Sequence, residues 1–160
     1  PYLSWTEIDA LPDKENTVIV LPVGAIEQHG PHLPCAVDSV ISAGVMGKAL
    51  EKLPAEVRAF GLAPITYGKS DEHLHFPGTM TLTGPTLLNV IQEIGESVYR
   101  SGFRKLLLAN GHGDSLLYER GLIATNLPLT ELKERAHINA RARAADASAD
   151  FSQWIREGIR

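Results

Sequence analysis

Several features that mark other classes of protein are scarce or missing in this sequence of 160 residues. It has one cysteine, Cys35, so no internal disulfide can form and the fold does not depend on an oxidising compartment. Its 15 basic and 19 acidic residues give a formal charge of −4, which argues against a nucleic-acid or anionic-membrane partner. No apolar run approaches the ~20 residues of a membrane span, and no signal peptide opens the chain. We therefore expect a cytoplasmic protein that binds neither nucleic acid nor membrane.

The composition is that of a globular domain. Hydrophobic residues make up 44% of the chain and charged residues 21%, which is enough apolar material for a core. The length favours one domain over residues 1–160.

Short apolar runs alternate with longer helical patterns along the chain. Strands are predicted at 17–23, 62–67 and 105–109, and helices at about 38–53 and 85–101. Asp38 and Ser39 are predicted to cap the first helix. Its predicted apolar side consists of Val40, Ile41, Val45, Met46 and Leu50. The order strand, helix, strand, helix, strand predicts an α/β fold with a mostly parallel sheet flanked by helices. Residues 130–160 are predicted to form a solvated helix or packing arm.

Five of the six histidines lie in three stretches that contain Gly or Pro, and each stretch directly follows a predicted strand. These histidines are His29, His32, His73, His75 and His112. Because ligands of open α/β sheets bind in the crevice at the carboxyl ends of the strands, we expect the three stretches to meet there.

Two of these stretches carry residue types that bind metals. Glu27 and His29 are two residues apart, Asp38 follows at the start of the predicted helix, and His112 and Asp114 are again two apart. Two imidazoles and three carboxylates suit Zn²⁺ or Mn²⁺. Five ligands exceed the needs of one catalytic ion and suit two ions about 3.5–4 Å apart that share a bridging carboxylate.

Each of these residues also has a simpler interpretation. Asp38 could be only a helix cap, His73 and His75 could be surface residues of a loop, and Asn110-Gly111 is a common turn pair. A serine nucleophile, Ser70 or Ser115, is an enzymatic alternative, although no Gly-x-Ser-x-Gly elbow is present.

Three motifs together resemble the creatininase (creatinine amidohydrolase) family, in the order and at the spacing of that family over residues 3–115. They are Glu27-Gln-His29-Gly-Pro-His-Leu-Pro34 with Asp38, the segment from Gly68-Lys-Ser70-Asp-Glu72-His73 to Leu82, and Asn110-Gly-His112-Gly. The resemblance implies a creatininase-like α/β fold with the metal site at the carboxyl ends of the strands. It also implies a homohexamer and two divalent ions per subunit, Zn²⁺ or Mn²⁺, with Fe²⁺ also compatible.

The resemblance also implies roles for single residues. Glu27 and His112 would bind one ion, His29 the other, and Asp38 would bridge them, while Asp114 falls where creatininase has a metal-binding glutamate. Ser70 falls at a substrate-contacting position. Gly113, a second substrate-site position, replaces an aromatic residue that holds creatinine. Apart from the resemblance, Glu72 and His73 are candidates for catalytic support or proton transfer, or for a structural role that orders their loop.

The implied activity is hydrolysis of a C–N amide bond, other than a protein peptide bond, in a cyclic amide, a formamide or a small peptide-like substrate, by a water that the two ions activate. Family members are longer and carry a segment like His-Ala-Gly-Glu that has no counterpart here. The chain is therefore a shortened relative or is incomplete after about residue 116. The alternative function is a catalytically lapsed family member that keeps the pocket as a binding or assembly subunit.

Overall fold

The centre of the sheet is strand β1 (Val18–Val23), which is buried along its whole length. The computed structural model describes residues 2–112 and the backbone of residues 123 and 124. Around β1 lie α1 (Trp5–Asp9), α2 (Val37–Glu51), β2 (Ala59–Gly61), α3 (Gly84–Arg100), β3 (Lys105–Asn110) and β4 (Ile123–Ala124). None of the described helices is long and apolar enough to cross a lipid bilayer.

The sheet has the strand order β2-β1-β3-β4. Strands β2 and β3 both run parallel to β1, and β4 pairs antiparallel with β3. The predicted parallel α/β architecture is confirmed. Because β1 and β3 are parallel neighbours, the loops that follow them leave the same edge of the sheet.

Alternate residues of the strands build two apolar layers. Leu21 and Val23 of β1 pack with Leu108 of β3 against Leu87 and Ile91 of α3. On the other face, Val18, Val20 and Leu107 contact the partly buried Met46 and Leu50 of α2. A two-residue period sends neighbouring side chains of one strand to opposite faces, so each helix covers its own layer.

Helix α3 forms where the sequence predicts it. The Thr83 side chain accepts a hydrogen bond from the Thr86 N–H, Pro85 lies in the first turn, and Gly102 follows the helix with φ +98°. A hydroxyl cap, an early proline and a glycine in the left-handed region are the signals that start and end helices.

The prediction for helix α2 was wrong in two respects. The helix begins at Val37 after Ala36, which makes no side-chain cap, so Asp38 lies inside the first turn. The predicted apolar residues Val40, Ile41 and Val45 are 67%, 52% and 51% exposed, whereas Asp38, Ser39 and Ser42 are buried. The prediction is confirmed for Met46 and Leu50, which contact the sheet, whereas the first turns of the helix pack through small and polar side chains.

The second strand was also predicted too late in the chain. Strand β2 ends at Gly61, and the predicted segment 62–67 follows it beside β1 without a regular ladder. The Leu62 N–H donates to the Val20 carbonyl and the Ile65 N–H donates to the Pro22 carbonyl. Between these two bonds the chain advances by three residues after β2 but by only two residues in β1. Pro64, which has no N–H, lies in this extra step, and an inserted residue of this kind is a bulge.

Two further short elements were not predicted. Helix α1 has a capping box from Ser4 and Glu7, and residues Asp71–His73 form one 3₁₀ turn in the loop after β2. The predicted helix over 130–160 lies outside the described residues.

Candidate metal centre

Polar side chains from three loops and one helix converge at the carboxyl ends of β1 and β3. Glu27 and His29 come from the segment after β1, Asp38 from the first turn of α2, and His112 follows β3 by two residues. The 3₁₀ turn adds Glu72 and His73. The three histidine-bearing stretches thus meet as predicted.

Asp38 lies between the two imidazoles. Its Oδ1 is 3.0 Å from His29 Nε2, and its Oδ2 is 2.8 Å from His112 Nδ1. Each carboxylate oxygen therefore faces a different histidine. This geometry is incompatible with Asp38 being only a helix cap, because its side chain turns away from the helix backbone and into the cluster.

The outer nitrogen of each imidazole is held by a backbone carbonyl. His29 Nδ1 lies 3.1 Å from the Glu27 carbonyl, and His112 Nε2 lies 2.9 Å from the Lys69 carbonyl. A carbonyl oxygen only accepts hydrogen bonds, so these two nitrogens carry the protons of the neutral rings. The inner nitrogens, His29 Nε2 and His112 Nδ1, then present lone pairs to the oxygens of Asp38.

A lone pair facing a carboxylate oxygen at 2.8–3.0 Å is repulsive unless a positive charge lies between the two atoms. Protons can supply that charge by making both rings cationic. Burial lowers the pKa of His29, but its hydrogen bonds to the Glu27 carbonyl and the Asp38 carboxylate raise it more, so the net pKa lies above the ordinary value. A divalent cation supplies the same charge with neutral histidines.

Glu27 adds a second buried carboxylate to the cluster. Its Oε1 is 3.3 Å from His112 Nδ1, and its Oε2 is buried with no hydrogen-bond partner among the described residues. A buried carboxylate oxygen without a partner is costly, and metal coordination is one way to satisfy it. Mixed imidazole and carboxylate donors suit Zn²⁺ and Mn²⁺. The residues at this site therefore fit a metal centre.

Close packing between α2 and the sheet edge brings Asp38 to this position. The Ser42 hydroxyl donates to the Ala109 carbonyl, and the Ser39 hydroxyl donates to the carbonyls of Ala25 and Thr66. Gly111 allows this approach, since a Cβ at Gly111 would lie 2.6 Å from Ser42 Cβ. Small residues and hydroxyls thus replace a hydrophobic contact at the start of α2.

Glu72 and His73 border the cluster on the side of the 3₁₀ turn. Glu72 Oε1 is 3.6 Å from His112 Nε2, and His73 Nε2 is 4.0 Å from Glu27 Oε1. Ligand atoms of Glu27, Glu72 and His73 lie within 4.8 Å of one another, as do those of Glu27, His29 and Asp38. Glu27 is the member common to both groups.

Other predicted positions are placed less directly. Ser70, the predicted substrate contact, is fully buried, and its hydroxyl has no hydrogen-bond partner in the described part of the chain, so no described imidazole is placed to activate it. His32 and His75 are exposed. Gly113, Asp114 and Ser115 lie outside the described residues.

Sequence reasoning missed the groups that orient the histidines. Gln28 accepts from the Gly30 N–H through Oε1 and lies 3.3 Å from His73 Nδ1 through Nε2. The amide therefore donates to Nδ1, which places the proton of neutral His73 on Nε2. Asn110 exchanges hydrogen bonds with the backbone N–H and carbonyl of His112. Gln28 and Asn110 stand inside the quoted motifs, whereas the Lys69 carbonyl leaves no signal in a sequence.

Comparison with known proteins identifies the family of this chain. The family model Creatininase, described as creatinine amidohydrolase, matches residues 1–147. The chain is 36% identical over 121 residues to a creatinine amidohydrolase of Pseudomonas putida, covering 72% of this chain and 45% of that protein. It is 39% identical over 138 residues to a mycofactocin precursor peptide peptidase of Mycolicibacterium smegmatis, covering 85% of this chain and 55% of that protein.

A solved structure has the same fold. The structure named "Creatininase Mn" superposes with a TM-score of 0.65 at 29% sequence identity, covering 93% of this chain and 53% of that chain. The chain spans about half the length of the curated relatives it matches. The family match over residues 1–147, together with the fold and the cluster at the sheet edge, shows that the chain belongs to the creatininase family.

Proposed function

We propose that this chain is part of a metal-dependent amidohydrolase that cleaves a C–N amide bond with water. The observation that carries the proposal is the position of Asp38, whose two oxygens face the inner nitrogens of His29 and His112. The names of the relatives, an amidohydrolase and a peptidase, both describe cleavage of amide bonds. Because these names describe different kinds of amide, both small amides and short peptides are candidate substrates.

The donor set supports two divalent ions, Zn²⁺ or Mn²⁺. Glu27 and His112 would hold one ion and His29 the other, and Asp38 would contact both. Asp114 would join His29 at the second ion. When bound, such ions lower the pKa of a coordinated water toward about 7 and polarise an amide carbonyl. Manganese also appears in the name of the matching solved structure, "Creatininase Mn".

One side chain beside the ligands would bind the substrate amide. Neutral His73 carries its proton on Nε2, the nitrogen nearest Glu27 Oε1, and is partly exposed. We assign this N–H a hydrogen bond to the substrate amide, which would stabilise the charge that develops there while the ring stays neutral. The proton that the departing nitrogen gains would come from the attacking water. Gly113, where creatininase has an aromatic residue, argues for a substrate other than creatinine.

The first test is metal content. Wild-type protein reconstituted with Zn²⁺ or Mn²⁺ and passed over a desalting column should hold two ions per chain by elemental analysis. Asp38→Ala should hold none, because it removes the group common to both ligand sets, and Asp38→Asn should hold fewer than two. Asp9→Ala is the matched control, since Asp9 is highly exposed on α1. Two ions per chain in Asp38→Ala would refute the bridging role.

The second test is turnover by the metal-loaded chain on cyclic amides, formamides and short peptides. The proposal expects hydrolysis of at least one class, abolished by exhaustive chelation and restored by the metal. Full activity after chelation would refute the metal mechanism and favour a serine nucleophile. Two bound ions with no turnover on any class would favour the alternative that this chain is a metal-holding binding subunit.

A further inference from the structure

We propose that Glu72 is a positioning residue of the metal centre: with the Lys69 carbonyl, it holds the outer nitrogen of His112 so that the inner nitrogen faces the metal. This inference rests on the metal centre proposed above. It assigns Glu72 a role through His112, whereas His73 keeps its hydrogen bond to the substrate amide.

The contacts of the His112 ring carry this inference. The ring is buried, with its side chain 3% exposed, so both nitrogens need partners within the protein. Nε2 lies 2.9 Å from the Lys69 carbonyl and 3.6 Å from Glu72 Oε1. The carbonyl accepts the N–H directly, and the carboxylate lies just beyond hydrogen-bond distance as a negative charge beside it.

A negative charge beside Nε2–H changes the ring in two ways. It stabilises the tautomer with the proton on Nε2, which leaves Nδ1 free for a cation. It also makes Nδ1 a stronger metal ligand, since a carboxylate next to the N–H increases the electron density on the ring. Removing such an outer partner typically lowers metal affinity about 10–100-fold.

The local fold holds Glu72 where it can act on His112. The His73 N–H donates to the Ser70 carbonyl, which closes the 3₁₀ turn that carries Glu72. The Ser70 N–H donates to the Thr81 hydroxyl, which in turn donates to Asp71 Oδ1. The two ends of the loop are thereby tied together.

The base of the loop is anchored against the segment after β1. The Met80 N–H donates to the Ile26 carbonyl, next to Glu27 in the chain. Gly68 packs so closely that a Cβ there would lie 2.4 Å from the Gly24 carbonyl oxygen. The loop therefore keeps a defined position relative to the metal ligands, and a carboxylate on it can orient one of them.

The test is a competition titration of each variant with Zn²⁺ and a chromophoric chelator. Glu72→Ala should bind the ion at His112 about 10–100-fold more weakly than wild type, and Glu72→Asp should recover part of the loss. Glu56→Gln, which removes an exposed carboxylate outside the site, should bind like wild type. Unchanged affinity in folded Glu72→Ala would overturn the proposal.

A loop variant separates orientation of the ring from general order of the loop. Asp71→Asn weakens the ion pair of Asp71 with Lys69 but leaves Glu72 beside His112. It should bind Zn²⁺ within about threefold of wild type, well inside the 10–100-fold range expected for Glu72→Ala. An equal loss in both variants would overturn the proposal, because loop order alone would then explain the effect.

A spectroscopic readout checks that the change is at the metal. The visible absorption bands of bound Co²⁺ should shift in Glu72→Ala and keep their wild-type position in Asp71→Asn. Identical Co²⁺ spectra in wild type and Glu72→Ala would contradict an action through the ligand. If the wild-type protein binds neither Co²⁺ nor Zn²⁺, the proposed metal centre itself is wrong. If the wild-type protein binds the metal and Glu72→Ala binds it with the same affinity, only the role of Glu72 is refuted.

Discussion

Gly111 should tolerate no side chain, because it lies where the turn after β3 crosses the first turns of α2. An alanine Cβ at this position would lie 2.6 Å from Ser42 Cβ and 2.9 Å from the Asp38 carbonyl oxygen. The φ of Gly111 is outside the left-handed region, so Gly111→Ala changes the occupied space without adding backbone strain.

The size of the effect follows from these distances. Carbon atoms pack at about 3.5–4.0 Å, so the turn and α2 must separate by roughly 1 Å. Overpacking of this kind costs about 1–3 kcal/mol of unfolding free energy. For a chain of this length, that corresponds to a melting temperature lower by about 2–12 °C. The same separation would lengthen the 2.8 Å contact between His112 and Asp38 and weaken metal binding.

Thermal unfolding with and without Zn²⁺, together with elemental analysis, measures both effects. The matched control is Gly44→Ala, the same substitution in α2 at a position where a Cβ meets no atom within 4 Å. Alanine is favoured over glycine inside a helix by about 1 kcal/mol, so this control should melt at a higher temperature and keep its metal. A Gly111→Ala protein with the wild-type melting temperature and two bound ions would refute the packing explanation.

Two further predictions concern pH and helix capping. In the metal-free protein the fold raises the pKa of His29, so the protonated His29 ring stabilises the folded state. This stabilisation is complete below about pH 6.5 and is lost as the pH rises through the folded-state pKa. The melting-temperature difference between Zn²⁺-loaded and EDTA-treated protein should therefore widen from about pH 6 to pH 8; a constant gap in wild type, or the same widening in His29→Gln, would contradict this. Thr83→Ala should lower the unfolding free energy in urea by about 0.5–1 kcal/mol through loss of the α3 cap, with Thr83→Ser close to wild type. Equal stability of Thr83→Ala and wild type would show that the cap contributes nothing.

The fold could be predicted where local chemistry and the tertiary structure agree. Strand β1 is apolar on both faces and lies at the centre of the sheet, and α3 carries a hydroxyl cap, an early proline and a terminal glycine. Short helix α1 and the 3₁₀ turn were missed because single turns carry little periodic signal.

Helix α2 shows where hydrophobicity misleads. Three of its apolar residues, Val40, Ile41 and Val45, are exposed, and its buried first turns carry an acid and two serines. These polar residues are buried because the carbonyls of Ala25, Thr66 and Ala109 accept from the serines, and two histidines face the acid. No local pattern reveals partners that lie between 9 and 74 residues away.

The sequence by itself determined which residues can bind a metal and that they gather at one edge of a parallel sheet, because that follows from residue type and from the direction of the strands. Only the tertiary structure decided which nitrogen of each histidine faces the acids, that Asp38 lies between His29 and His112, and that Glu72 lies beside the outer nitrogen of His112. These arrangements depend on backbone carbonyls such as that of Lys69, whose positions are set by packing between distant segments. Every residue has a backbone carbonyl, so the sequence cannot distinguish the one that orients a ligand.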